Sequence, residues 1–150
     1  YTEDVPCTDW APSTNPFFTG AFDGAVLSNV TYDPFGATYL WPSSAQSWAG
    51  FANNNEYIYP LSFPNGGSVT FTAATSGVDI DVRFRIEYDV WPNVDPAYDT
   101  NALTISGTDP KEYTVEIPPQ GSNTYSSMLF YLMTPDQELI VSSDFQLTVY

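Results

Sequence analysis

Residues 79–88 read Asp-Ile-Asp-Val-Arg-Phe-Arg-Ile-Glu-Tyr, a strict alternation of charged and apolar side chains. Successive side chains of an extended strand point to opposite faces, so this period of two belongs to a strand. A helix of period 3.6 would scatter the same residues around its circumference. One face then carries Ile80, Val82, Phe84, Ile86 and Tyr88; the other carries Asp79, Asp81, Arg83, Arg85 and Glu87. The apolar face must pack on a core, and the charged face must look outward. The outward face holds two of only 3 basic residues in the 150-residue chain, against 18 acids. Such economy singles that face out.

The rest of the chain repeats the strand signal in shorter pieces. Strands are expected at 25–32, 38–41, 57–63, 68–73, 102–106, 112–117, 126–133 and 145–150, in addition to 79–88. Asn65-Gly66-Gly67 and Ser76-Gly77 tolerate positive φ, and Pro118-Pro119-Gln120-Gly121 ends the strand before it. With 13 Pro, 9 Gly and 17% aromatic residues, the composition favours many short strands joined by tight turns over helices. Nine strands at this spacing predict one all-β domain, an antiparallel β-sandwich of jelly-roll type. Residues 1–16 mix Pro, Thr, Ser and acids without periodicity and read as a linker or arm, leaving 17–150 as the domain.

A net charge of -15 repels phosphate backbones and anionic headgroups, which excludes nucleic acid as a ligand. No apolar run approaches the roughly 18 residues needed to span a bilayer, so no membrane insertion is expected. The start at Tyr1 reads as a mature or excised fragment, and the expected setting is secreted or cell-surface. The single cysteine, Cys7, has no internal partner for a disulfide. Asn29-Val30-Thr31 forms an N-glycosylation triplet of a kind that also arises by chance.

Sugar recognition needs flat apolar rings next to planar polar groups: pyranose C–H faces stack on Trp or Tyr, while hydroxyls meet guanidinium donors and carboxylate acceptors. Arg83, Arg85 and Glu87 supply such donors and an acceptor. The same three side chains also suit a cross-strand charge ladder with neighbouring acids, so both readings stay open. Trp91 and Tyr98 lie in the acidic, Pro-rich stretch 90–99 that directly follows the Arg strand. Trp48 sits among small residues and amides in 47–57, where it reads either as a sugar platform or as a core residue, and Trp41 is equally ambiguous. Trp10 is expected to anchor the N-terminal arm. Arg83, Arg85, Glu87, Trp91, Tyr98 and Trp48 are therefore the candidate carbohydrate-binding residues.

Catalysis finds little support. The chain has no histidine, which removes Ser-His-Asp, Cys-His and His-based zinc sites. Glu87-Tyr88-Asp89 resembles the Glu-x-Asp opening of the active-site strand in family 16 glycoside hydrolases. The second glutamate of that pattern would fall where Trp91 and Pro92 stand. No cofactor is required by this reading. A structural calcium is the one metal such a chain would hold, with Asp95, Asp99 and Asp144 as guesses from loop placement and no Asp-x-Asp-x-Asp-Gly loop to favour them.

Several short motifs, taken in order, are shared with a known group of domains. They are Trp48-Ala49-Gly50-Phe51-Ala52-Asn53, Ile58-Tyr59-Pro60-Leu61, residues 67–73 and 82–87, Pro96-Ala97-Tyr98-Asp99-Thr100 and residues 120–127. Over roughly residues 20–150 the sequence resembles the β-sandwich carbohydrate-binding modules appended to marine bacterial laminarinases and related polysaccharide hydrolases. That resemblance implies a non-catalytic polysaccharide-binding module for a β-glucan, laminarin-like β-1,3-glucan first, with an attached catalytic domain as partner. The alternative is a structural or adhesive calcium-binding sandwich of a surface protein.

Overall fold

The computed structural model describes residues 16–150. The readings of Cys7 and Trp10, and most of the 1–16 arm, lie outside the described residues. Among the described residues there are thirteen strands: β1 (Gly20–Phe22), β2 (Val26–Tyr32), β3 (Phe35–Leu40), β4 (Gly50–Ala52), β5 (Leu61–Ser62), β6 (Gly67–Thr75) and β7 (Ile80–Glu87). They continue with β8 (Ala97–Asp99), β9 (Leu103–Ile105), β10 (Lys111–Ile117), β11 (Thr124–Tyr125), β12 (Ser127–Leu132) and β13 (Glu138–Val149).

Two antiparallel sheets face each other. The first runs β1-β4-β12-β7-β8 with β9 also paired to β7, and the second runs β10-β6-β13-β3-β2. Because β3, β6, β10 and β13 lie in one sheet and β4, β7, β9 and β12 in the other, the chain passes repeatedly between layers. This is the expected antiparallel, jelly-roll-like β-sandwich. β5 and β11 form a separate two-stranded ribbon.

The alternation in β7 works as its sequence dictates. Ile80, Val82, Phe84 and Ile86 are buried at 2% exposure or less and share the core side of the first sheet with Met128, Phe130 and Leu132 of β12 and Phe51 of β4. Val69, Phe71, Ala73, Tyr39, Leu139, Val141 and Phe145 close the core from the other layer. Phe84, Phe130, Phe145, Phe18 and Tyr39 form a connected ring cluster, with Phe84 and Phe130 stacked at 5.1 Å and Tyr39 set edge-on to Phe130 at 5.5 Å. Edge and tilted contacts of this kind add to burial, because each ring's positive rim meets another's negative face. The Tyr39 hydroxyl, buried among these rings, donates to the Phe18 carbonyl at 3.2 Å, and burial pushes its pKa far above the ordinary phenol value.

Some expectations need correction. The span 57–63 is not one strand: Glu56–Ile58 is a 3-10 turn capped by the Asn55 side chain, and only Leu61–Ser62 pairs. Strand β13 begins at 138 instead of 145. Its register shifts between Val141 and Ser143, and again between Ser143 and Gln146, so Ser142-Ser143-Asp144 reads as a loop although it lies in a central strand. Tyr88 leaves the core side and is exposed, its N–H donating to the carbonyls of Val94 and Pro96 at 2.9 Å.

Candidate functional site

Registers in the first sheet decide what its outer face displays. Arg83 of β7 lies opposite Tyr131 of β12, Arg85 opposite Leu129, and Glu87 opposite Ser127. Leu129 is in turn opposite Ala52 of β4, which pairs Gly20 of β1, while Gly50 pairs Phe22. The β1 and β4 side of this face is therefore built of Gly20, Gly50 and Ala52, flanked by larger residues. Gly50 is indispensable to that relief: an added Cβ would stand 2.7 Å from the Tyr131 ring and 3.0 Å from the Phe130 carbonyl.

On this face, with Ala52 in its floor, lies a groove of about 960 Å3. Its walls include Phe22, Tyr59, Leu129 and Tyr131, with Trp48 and Trp91 exposed at 59% and 81%. β4 and β7 both run antiparallel to β12. Trp48 precedes β4 and so stands at the Tyr131 end of β12, whereas Trp91 follows β7 and stands at the Ser127 end. The two indoles thus occupy opposite corners of the groove. Trp48 is held by its Nε1–H, which donates to Asp23 Oδ2 at 2.8 Å. Tyr59 donates to the Asn53 carbonyl at 2.8 Å and accepts from the Met128 N–H at 2.9 Å, and burial pushes its pKa up to about 12. It therefore stays a neutral phenol at physiological pH.

Arg83, Arg85 and Glu87 all lie on this face, and they form the charge ladder that the alternation allowed. Arg83 Nη1 meets Asp99 Oδ1 at 2.5 Å; Arg85 Nη1 meets Asp99 Oδ2 and Arg85 Nε meets Glu87 Oε2, both at 2.7 Å. Partial burial disfavours the Arg85 guanidinium's charge, but Glu87 and Asp99 outweigh this and hold its pKa above the ordinary value. Glu87, only 7% exposed, also accepts from Ser127 Oγ at 3.3 Å. The Arg83 guanidinium lies over the Tyr131 ring at 4.3 Å, a cation–π contact. Burial, then the Glu87 charge, raises the Tyr131 pKa, so this phenol too stays protonated.

Of the six candidate residues, Trp48, Trp91 and Glu87 line the groove, and Arg83 lines a smaller pocket beside it. Arg85 sits on the same face, engaged on both sides by carboxylates. Tyr98 is a correction: it pairs Ile86 and packs against the core, because its place in β8 has the parity of the apolar side. The sequence reading missed Phe22, Tyr59, Leu129 and Tyr131. β12 is almost continuously apolar (Ser-Met-Leu-Phe-Tyr-Leu), so its period conceals which set faces outward.

The calcium guesses do not converge. Asp99 serves the two arginines; Asp144 accepts the Phe17 N–H through both oxygens at 3.1 Å and the Phe145 N–H at 2.8 Å; Asp95 is exposed in its loop. Among the described residues no three His, Cys, Asp or Glu side chains gather as a metal-binding group. No helix among them is long and apolar enough to cross a membrane.

No protein-family model and no curated protein matches this sequence. Solved structures do. The chain is similar to the CBM22-1 xylan-binding domain from Paenibacillus barcinonensis Xyn10C, with a TM-score of 0.56, 14% identity, and coverage of 90% of this chain and 92% of that one. It is similar to a mutant of the family 29 carbohydrate-binding module CBM29-2 complexed with cellulohexaose, with a TM-score of 0.53, 13% identity and 90% of each chain covered. A CBM4 structure gives a TM-score of 0.53 at 17% identity, covering 84% of this chain and 78% of that one. At such identities the likeness establishes the fold: this chain has the β-sandwich that carbohydrate-binding modules of these three kinds use.

Proposed function

We propose that the chain is a non-catalytic carbohydrate-binding module that lays a β-glucan chain, laminarin-like β-1,3-glucan first, along β12 on the outer face of the first sheet. The observation that carries this reading is the groove with Trp48 and Trp91 at opposite corners. Exposed indoles are costly to leave in water, and a pyranose face covers them while its hydroxyls reach the polar rim. Asp23, Glu56 and Glu87 line the groove, which suits hydroxyl donors and opposes uronates. The xylan-binding and cellulohexaose-bound neighbours give the same sandwich a precedent in polysaccharide recognition.

Stacking and hydrogen bonding need no cofactor. Two of the groove's three acids are engaged, Glu87 by Arg85 and Ser127 and Asp23 by Trp48, which argues against either serving in a poised acid and nucleophile pair. Affinity in the micromolar to millimolar range suits a tether that concentrates substrate for an attached glycoside hydrolase in a secreted or cell-surface protein. Calorimetric titration with laminarin, cello-, xylo- and agaro-oligosaccharides tests the reading. Saturable heats are expected with neutral β-glucans, tightest with laminarin, and none with alginate; silence across the neutral panel would refute the module.

A further inference from the structure

Beyond the Tyr131 end of the groove lies a second pocket of about 230 Å3, lined by Trp41, Ser47, Arg83, Tyr131, Leu132 and Met133. Tyr131 belongs to both hollows, and Ser47 adjoins Trp48 of the first. The two are therefore successive along β12. At about 3.3 Å per residue, the run from Ser126 in the groove to Met133 in the pocket extends about 23 Å.

The small pocket has the chemistry of a sugar subsite in its own right. Trp41 packs one side on the core, and its Nε1–H donates to the Gln46 carbonyl at 3.1 Å. Its carbonyl accepts the Asp136 N–H at 2.9 Å, and Asp136 in turn accepts the Ser43 N–H at 2.7 Å. The indole is thus a fixed platform. Arg83 is placed by its stack on Tyr131 and its single ion pair with Asp99. A guanidinium has five N–H donors. Among the described residues, Arg83 spends one of them, whereas Arg85 is engaged through both Nε and Nη1. Arg83 is the arginine with donors to give.

We propose that this pocket is a distal subsite for the same uncharged glycan chain, with a ring on Trp41 and its hydroxyls accepting from Arg83. The proposal rests on the carbohydrate reading of the main groove. A lone sugar would bind such a small pocket poorly, but a ring tethered to a chain already seated in the groove arrives at high effective concentration. Only chains long enough to cross Tyr131 benefit.

Calorimetry with laminari-, cello- and xylo-oligosaccharides of increasing length, on the whole chain and on Trp41→Ala and Arg83→Met variants, tests this. Short oligosaccharides are expected to bind the parent chain and Trp41→Ala alike, and in every protein the length gain is read as the ratio of long-chain to short-chain affinity. The longest should bind the parent chain about tenfold more tightly than the short ones, and both variants should lose that gain. Should Trp41→Ala fail to fold, Arg83→Met carries the test, since Arg85 remains to pair Asp99. A length gain that survives Arg83→Met, or no gain in the parent chain, overturns the subsite while leaving the groove intact. Binding by no oligosaccharide of any length overturns the groove reading, and the subsite with it.

Discussion

The two outer faces of this sandwich are made by the same rule and end up unlike each other. On the second sheet, Ser68 and Thr70 of β6 lie opposite Glu116 and Thr114 of β10 and opposite Thr148 and Gln146 of β13. Thr70 and Thr114 join hydroxyls at 3.0 Å, and the Tyr150 hydroxyl donates to Glu116 at 2.8 Å. Short polar residues of similar height, with their partners beside them, leave this part of the face without relief. On the first sheet, Gly50 lets the Tyr131 ring lie against it, and the short Ala52 among Phe22, Tyr131 and Leu129 leaves a groove. Alternation gives each strand an outside. Variation in side-chain size across strands gives one outside a groove.

The largest expected effect concerns what keeps the two faces apart. Phe84 touches Phe18, Phe71, Phe130 and Phe145, rings from both layers. Phe84→Ala should cost about 3–5 kcal/mol of stability in urea denaturation, by lost burial and a cavity among rings unable to close it. A loss under 1 kcal/mol would mean the two layers meet elsewhere. Next comes the pair of arginines. Arg85→Met strands Glu87 at 7% exposure with only Ser127 as partner, and should cost about 1–2 kcal/mol, more than Arg83→Met, whose carboxylate keeps Arg85. Equal losses would put Arg85 and Arg83 in equivalent roles.

How much of this was legible depended on the strand. β7 declared its faces because every second residue is charged, and its arginines were correctly placed outward. β12 is its neighbour and contributes more of the groove, yet Leu129 and Tyr131 are as apolar as the Met128 and Phe130 that fill the core; only the register with β7 separates them. Tyr98 was misplaced because proximity in sequence to Trp91 says nothing of parity in a three-residue strand. Trp48 was ambiguous because an indole satisfies its N–H equally well in a core or at a rim; the Asp23 bond settles it at the rim. β13 was cut short because two register shifts break the period that a reader of sequence relies on.

The smallest effect lies in β13. Burial raises the Asp144 pKa above the ordinary carboxylate value, against the lowering influence of the Phe17 and Phe145 N–H groups. A folded-state pKa above the unfolded one means that the folded state binds the proton more tightly. The stability this lends is present below the unfolded pKa and is lost as pH rises through the folded one. Melting temperatures of the parent chain relative to Asp144→Asn should therefore fall as pH climbs from the lower carboxylate range toward neutrality. A difference that is flat or rises with pH would reverse the sign.

The contrast between the faces is tested most directly by glycan binding to two matched pairs of substitutions, Trp48→Ala with Trp91→Ala on the first sheet and Thr70→Ala with Thr114→Ala on the second. Calorimetry with a β-1,3-glucan oligosaccharide should show each tryptophan variant about tenfold weaker, ~1.4 kcal/mol, at unchanged melting temperature, and both threonine variants indistinguishable from the parent chain. Undiminished binding in the Trp48→Ala, Trp91→Ala double variant, or loss of binding in the threonine pair, would place the site on the wrong face.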